Sequence, residues 1–193
     1  MLDKKKIEES KKRIQKLLEN EYIIKSEKNK FSDFFLINAQ QSFDTAQLLY
    51  AISTNHELKK ITGFPHFNGF LWVINSSYYS MFFMVRALLE KSGVKIKTEH
   101  SIHQIVFDAL VTYFYATGKL EKQMLEEFHE ASAEALESLG REKAKSLVED
   151  YANEREKRSR FTYEMGEIAL QNKAKTSLER ARQFNEILRK MIQ

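Results

Sequence analysis

Arginine side chains enter the apolar face of a helix that the sequence predicts near its carboxyl-terminal end. The helix begins at about residue 141, and steps of four and three residues from Tyr151 on that face reach Arg155 and Arg158. An unpaired charge is too costly to bury, so these guanidinium groups need a carboxylate, a partner subunit or an anionic ligand. A guanidinium suits phosphate, which it can bind through two parallel hydrogen bonds. The spacing therefore marks a candidate binding site.

The same region also allows an ordinary structural role for its arginines. Glu154 stands four residues before Arg158, and Glu156 stands four residues before Arg160. Ion pairs at this spacing on one helix contribute only about 0.2–0.5 kcal/mol each. Both interpretations are compatible with the pattern.

Two histidines form the other group with metal-binding side chains. His100 and His103 lie about one helical turn apart, with Glu99 alongside. A stable zinc site usually takes four ligands, and the spacing supplies no third and fourth. The sequence therefore predicts neither a metal site nor a cofactor, and it assigns these histidines to a loop and the start of a helix.

The elements that carry these residues are predicted to be helices throughout, which indicates an all-α fold. The predicted helices cover about 3–25, 31–53, 68–92, 101–118, 120–139, 141 onward and 174–192. Ser101 and Gln104 match a capping box, and Gly140 is expected to end the fifth helix. The first helix has a thin apolar stripe, so residues 1–30 are predicted to be an extra basic arm attached to a bundle over 31–193.

The helix over 68–92 is the most apolar, but it is not predicted to span a membrane. Residues 67–85 carry no formal charge, yet asparagine and serine interrupt the run and Arg86 follows it. This pattern indicates a buried helix, on which the small Ser76 and Ser80 let a second backbone approach closely. Its aromatic side chains are predicted to lie mostly in the core: Trp72, Tyr78, Tyr79, Phe82 and Phe83.

Composition and charge exclude several classes of protein. The chain has no cysteine, which excludes disulfides and thiolate chemistry. The amino terminus leads into a charged helical pattern and not a signal sequence, so we expect a cytoplasmic protein. The formal charge of +4 comes entirely from residues 1–30, with ten Lys or Arg against six Asp or Glu. This excess is modest for a nucleic-acid-binding protein.

Several short motifs occur in an order that resembles the HEPN domain family, over roughly residues 31–192. They are an alanine-containing first core helix, the stretch 77–82 (Ser-Tyr-Tyr-Ser-Met-Phe) followed by 86–89 (Arg-Ala-Leu-Leu), Gly93, the stretches 97–101 and 117–120, residues 150–151 ahead of the arginines, and a closing amphipathic helix. The pattern is similar to small prokaryotic HEPN proteins. The resemblance implies an up-and-down helical bundle that forms a homodimer.

In active members of that family, an arginine followed after four to six residues by a histidine cleaves RNA without a metal ion. The matching window here runs from Arg158 to Tyr163, which puts a tyrosine where the histidine would be. Tyrosine, with an ordinary pKa of about 10, is a poor general base at neutral pH. By the resemblance, Arg158 and Tyr163 are the candidate catalytic pair, with His100 and Tyr79 as auxiliary residues.

Three classes of function follow from these observations. The first is a dimeric HEPN-type module that binds RNA or a nucleotide through the phosphate-binding arginines Arg155, Arg158 and Arg160, in association with a nucleotidyltransferase or a toxin–antitoxin system. The second is a metal-independent endoribonuclease that acts as a toxin. The third is a purely structural helical protein. The departure at Tyr163 favours binding without catalysis.

Overall fold

The computed structural model describes residues 4–26, 30–98, 100–149 and 160–193, without the side chains of 139–149 and 160–167. Seven α-helices and a short two-stranded sheet occur in this part of the chain, which confirms the all-α class. In chain order the elements are α1 (Lys4–Glu19), β1 (Ile23–Lys25), α2 (Ser32–Thr54), α3 (His56–Ile61), α4 (Phe70–Lys91), β2 (Val94–Ile96), α5 (Ile102–Leu110) with a π-helical turn (Val111–Tyr115), α6 (Lys122–Glu149) and α7 (Arg160–Ile192).

Helix α4 is the centre of the bundle, as its apolar sequence predicts. It packs against α2, α5, α6 and α7, and most of its side chains are buried. The small Ser80 allows the close approach expected for it: its hydroxyl donates to the Ala39 carbonyl of α2 at 2.7 Å and accepts from the Asn185 amide of α7 at 2.6 Å. These contacts fix α2 and α7 on α4 at one level of the bundle.

The amino-terminal helix α1 is packed into the fold. Ile14 of α1 is only 2% exposed and belongs to the main core. Ser10 and Arg13 bind Asp108 of α5, which is itself buried. The predicted helix over 3–25 was too long, because α1 ends at Glu19 and the chain then turns into β1.

Strand β1 pairs antiparallel with β2, although no strand was predicted. Ile23 faces Ile96 and Lys25 faces Val94 in this pairing. Each strand has three residues, too few to show an alternating pattern in the sequence. The pairing ties the arm to the segment that follows α4.

One predicted helix cap and two predicted helix boundaries were wrong. Ser101 lies at φ +54°, and its side chain accepts no hydrogen bond from the first turn of the helix. The predicted capping box therefore does not form, and α5 begins at Ile102. Helix α6 continues through Gly140 to Glu149, since a glycine inside a helix costs only about 1 kcal/mol. Helix α7 begins at Arg160 and not near residue 174.

Within the described ranges, no helix is both long enough and apolar enough to cross a bilayer. Helix α4, the strongest candidate by sequence, is instead the buried centre of the bundle.

Candidate anion-binding cleft

A cleft of about 610 Å³ lies where three turns of the chain meet, beside the short sheet. The end of β1 contributes Lys25 and Ser26, and the turn between α4 and β2 contributes residues 91–94. The third wall consists of Tyr113, Phe114 and Lys119 from the π-helical turn and the loop after it. Three lysines that are distant in sequence therefore line one cleft.

The turn after α4 takes its shape from Gly93, which brings the first two walls together. Gly93 has a φ of +77°, a conformation that side chains disfavour. The Ser26 amide donates to the Gly93 carbonyl at 2.9 Å, and a Cβ atom on Gly93 would lie 3.1 Å from the Ser26 carbonyl oxygen. A glycine is needed here for the two segments to approach so closely.

The third wall is shaped by a reversal of the chain after the π-helical turn. The backbone amides of Lys119 and Leu120 both donate to the Phe114 carbonyl, at 2.8 and 3.1 Å. Gly118 allows this reversal with a φ of +74°. The geometry places Lys119 beside Tyr113, at the edge of the cleft.

The cleft is positively charged. Among the described residues that line it there is no aspartate or glutamate, and none of the three lysines forms a salt bridge within the described part of the chain. All three are exposed to solvent. The Lys25 ammonium group lies 5.8 Å from the centre of the Tyr113 ring, a cation–π contact that holds it over the cleft.

The ring of Tyr113 lines the cleft, but its hydroxyl oxygen is buried and has no surface open to a ligand there. Burial raises the pKa of Tyr113, so the phenol keeps its proton at neutral pH. The three ammonium groups are the part of the cleft that is suited to an anion such as phosphate.

The arginines predicted to bind phosphate lie outside the part of the chain whose side chains are described. Arg155 and Arg158 lie outside the described residues. Arg160 and Tyr163 lie in the first turns of α7, but their side chains are also outside the described part. Their predicted roles, phosphate binding for the arginines and catalysis for Arg158 with Tyr163, stay predictions.

The two predicted auxiliary residues are not at the cleft. His100 is exposed, and its backbone amide donates to the Thr98 hydroxyl at 3.2 Å. Tyr79 is 38% exposed and lines a shallow groove between α2 and α4. Trp72, predicted to lie in the core, is 50% exposed, whereas Tyr78 and Phe82 are buried as expected.

The side chain of His103, unlike that of His100, is packed against other side chains of the fold. Its Nδ1 lies 2.7 Å from the Tyr78 hydroxyl, and its ring packs on Phe82 with 4.6 Å between ring centres. Burial lowers the pKa of His103 and raises the pKa of Tyr78 to about 12, an effect that a hydrogen bond from Ser132 only partly offsets. At neutral pH this is a pair of uncharged, hydrogen-bonded rings.

The shifted pKa of His103 predicts a loss of stability in acid. Below the ordinary histidine pKa of about 6.5, the unfolded chain gains a proton before folded His103 does, so the free energy of unfolding falls as the pH falls. His103→Gln keeps an acceptor for Tyr78 without titrating. Urea unfolding at pH 5 and pH 8 should therefore show a smaller difference for His103→Gln than for the wild type. Equal differences would contradict this role for His103.

The sequence did not predict the candidate anion-binding cleft, the one lined by Lys25, Lys91 and Lys119, because these lysines are far apart in the chain. In the sequence, each lysine stands beside residues typical of turns. Lys25 precedes Ser26, Lys91 precedes Ser92 and Gly93, and Lys119 follows Gly118. Across the described residues, no three His, Asp or Glu side chains cluster closely enough to hold a metal ion.

Comparisons with known proteins add no assignment to this geometry. No protein-family model matches the chain, and no curated protein or solved structure matches it significantly.

Proposed function

We propose that this protein is a dimeric, HEPN-type module that binds RNA or a nucleotide through phosphate. The observation that carries the proposal is the anion-binding cleft, where Lys25, Lys91 and Lys119 converge with no acidic residue among the described residues of the lining. A phosphate group has the charge and the acceptor oxygens that these ammonium groups require.

The sequence supports the same ligand independently. The motif order that resembles HEPN proteins implies association with RNA or nucleotides, and Arg155, Arg158 and Arg160 add guanidinium groups suited to phosphate.

The proposed dimer uses the face of the bundle that carries the exposed apolar side chains of α2 and α4. This α2–α4 face consists of Phe34, Ile37 and Leu48 on α2 with Trp72 and Tyr79 on α4, each between 38% and 60% exposed. Their helical spacing puts each set on one side of its helix, and the shallow groove lined by Tyr79 lies between the two helices. Such a patch is unusual on a surface that stays in water.

The charge of this face favours a second copy of the same chain as its partner. Helix α2 has 23 residues, of which only Asp33 and Asp44 are charged, and Asp44 lies on the same side of the helix as Ile37. In a twofold dimer a surface meets itself, so a face with so few charges limits the repulsion that a more highly charged one would create. Half-exposed side chains of this size present about 100 Å² each, or roughly 500 Å² together, a large part of the approximately 800 Å² per partner in a standard interface.

A gel assay with RNA in EDTA tests the proposed function against the nuclease alternative. Labelled single-stranded and structured RNAs are incubated with the wild type and with Arg158→Ala, and both retention and cleavage are read. We expect retention of intact RNA by the wild type and weaker retention by Arg158→Ala. Cleavage by the wild type alone would instead identify a metal-independent endoribonuclease, in which Arg158 stabilises charge on the phosphate. A wild type that neither retains nor cleaves RNA would contradict both functions.

A further inference from the structure

A second groove, separate from the lysines, lies between α1, α5 and the first half of α6. Its volume is about 690 Å³, within the range of small-molecule sites. Its apolar lining includes Phe107, Phe128, Ala133 and Leu136, and His103 lies in its wall. The phosphate-binding proposal makes no use of this groove.

The groove holds one imidazole in a fixed orientation. Between a phenol and a neutral imidazole, the phenol is the stronger donor and the ring nitrogen is the stronger acceptor. We therefore assign the 2.7 Å contact as the Tyr78 hydroxyl donating to Nδ1 of His103. This leaves the proton of the neutral imidazole on Nε2, which has no hydrogen-bond partner among the described residues.

A neighbouring network fixes an acceptor beside this donor. The Gln104 amide nitrogen donates to Asp108 at 3.1 Å, so the amide oxygen points away from that carboxylate as an acceptor. Asp108 is fully engaged, because Arg13 donates to both of its oxygens at 2.7 Å and Ser10 donates at 2.8 Å. Because this network is preorganised, little ordering is needed when a ligand binds Gln104.

The charges of the groove select an uncharged ligand. Glu9, Glu126 and Glu130 line it together with Lys6 and Arg13. Arg13, Glu126 and Glu130 form salt bridges with Asp108, Lys122 and Arg180. The groove therefore has no excess of positive charge for a phosphate, in contrast to the cleft at Lys25. The exposed ring of His129, packed on Phe107 at 5.2 Å between ring centres, offers a flat surface for stacking.

We infer that this groove binds a nucleobase, whose flat ring fits the apolar lining and whose edge pairs an acceptor with the His103 Nε2–H and a donor with the Gln104 amide oxygen. Each natural base has both kinds of group on its Watson–Crick edge. The inference extends the proposed function from phosphate to base, but it depends on different residues and is tested without phosphate.

The test is calorimetric titration of the full-length protein with adenosine, guanosine, cytidine and uridine, which carry no phosphate. We expect at least one nucleoside to bind the wild type. His103→Phe keeps a flat ring but removes the donor and should weaken binding by about tenfold, the equivalent of one lost hydrogen bond at about 1.4 kcal/mol. His66→Phe, an exposed histidine that does not line the groove, is the matched control and should bind as the wild type does.

A second variant guards against effects on folding. Ala133 is exposed on α6, so Ala133→Trp should fill the groove without disturbing the core and should abolish binding. The inference would be overturned if no nucleoside gave a heat of binding with the wild type. It would also be overturned if His103→Phe and Ala133→Trp both bound nucleosides as the wild type does. If RNA is still retained in that case, the proposed phosphate binding is supported without the nucleobase site. Nucleoside binding without RNA retention would support the nucleobase groove and contradict the proposed phosphate-binding cleft.

Discussion

Replacing Lys25, Lys91 and Lys119 together with glutamine is expected to weaken RNA binding by at least about tenfold at low salt. The substitutions remove three converging charges but keep side chains of similar length. Each lost phosphate contact lowers the slope of log affinity against log salt by about 0.7 for a single strand, so the slope should decrease by about 2. Filter binding or fluorescence anisotropy over a series of salt concentrations measures both quantities.

The matched control removes the same charge elsewhere. Lys59, Lys60 and Lys175 do not line the cleft, and a Lys59→Gln, Lys60→Gln, Lys175→Gln variant has the same net charge as the cleft variant. Its salt slope should change little. If the two variants lose affinity equally, the binding reflects overall charge, and the cleft is not a site.

Trp72→Glu is expected to disrupt the proposed dimer and leave a monomer. Tryptophan is the side chain that most often dominates the free energy of an interface, and a charge on the α2–α4 face would meet its own copy across a twofold axis. Since Trp72 is half exposed, the monomer should remain folded. Light scattering coupled to size-exclusion chromatography gives the mass, and circular dichroism checks the helix content.

Ile61→Glu provides the control for that experiment. Ile61 is 80% exposed on α3, so the same change of an exposed apolar residue is made outside the α2–α4 face. The Ile61→Glu protein should stay dimeric. A wild type that is monomeric at high micromolar concentration would rule out this face as a dimer interface.

The main helices were predictable because their sequences repeat a simple pattern. Helices α2 and α4 lie close to the predicted 31–53 and 68–92, and Gly93 follows the end of α4 as expected. The sequence was less informative where a tertiary contact decides the structure. The thin stripe of α1 gave no sign of Asp108, a carboxylate buried on a distant helix that holds Ser10 and Arg13.

The candidate sites show the same division. The spacing of Arg155, Arg158 and Arg160 can be read directly from the sequence, whereas the candidate cleft brings together single lysines from three separate turns. His103 was assigned to an ordinary helix start for the same reason, since its partner Tyr78 is 25 residues earlier in the chain. Residues that act together across long separations leave no local pattern.

The contacts of α1 also affect how this chain can be shortened or synthesised. Asp108 follows Arg13 by 95 residues and Ser10 by 98. A growing polypeptide therefore cannot seat its first helix until more than half of the chain has been made. A fragment that stops before Asp108 would leave that basic helix without its carboxylate, so expression designs should keep both ends of this contact.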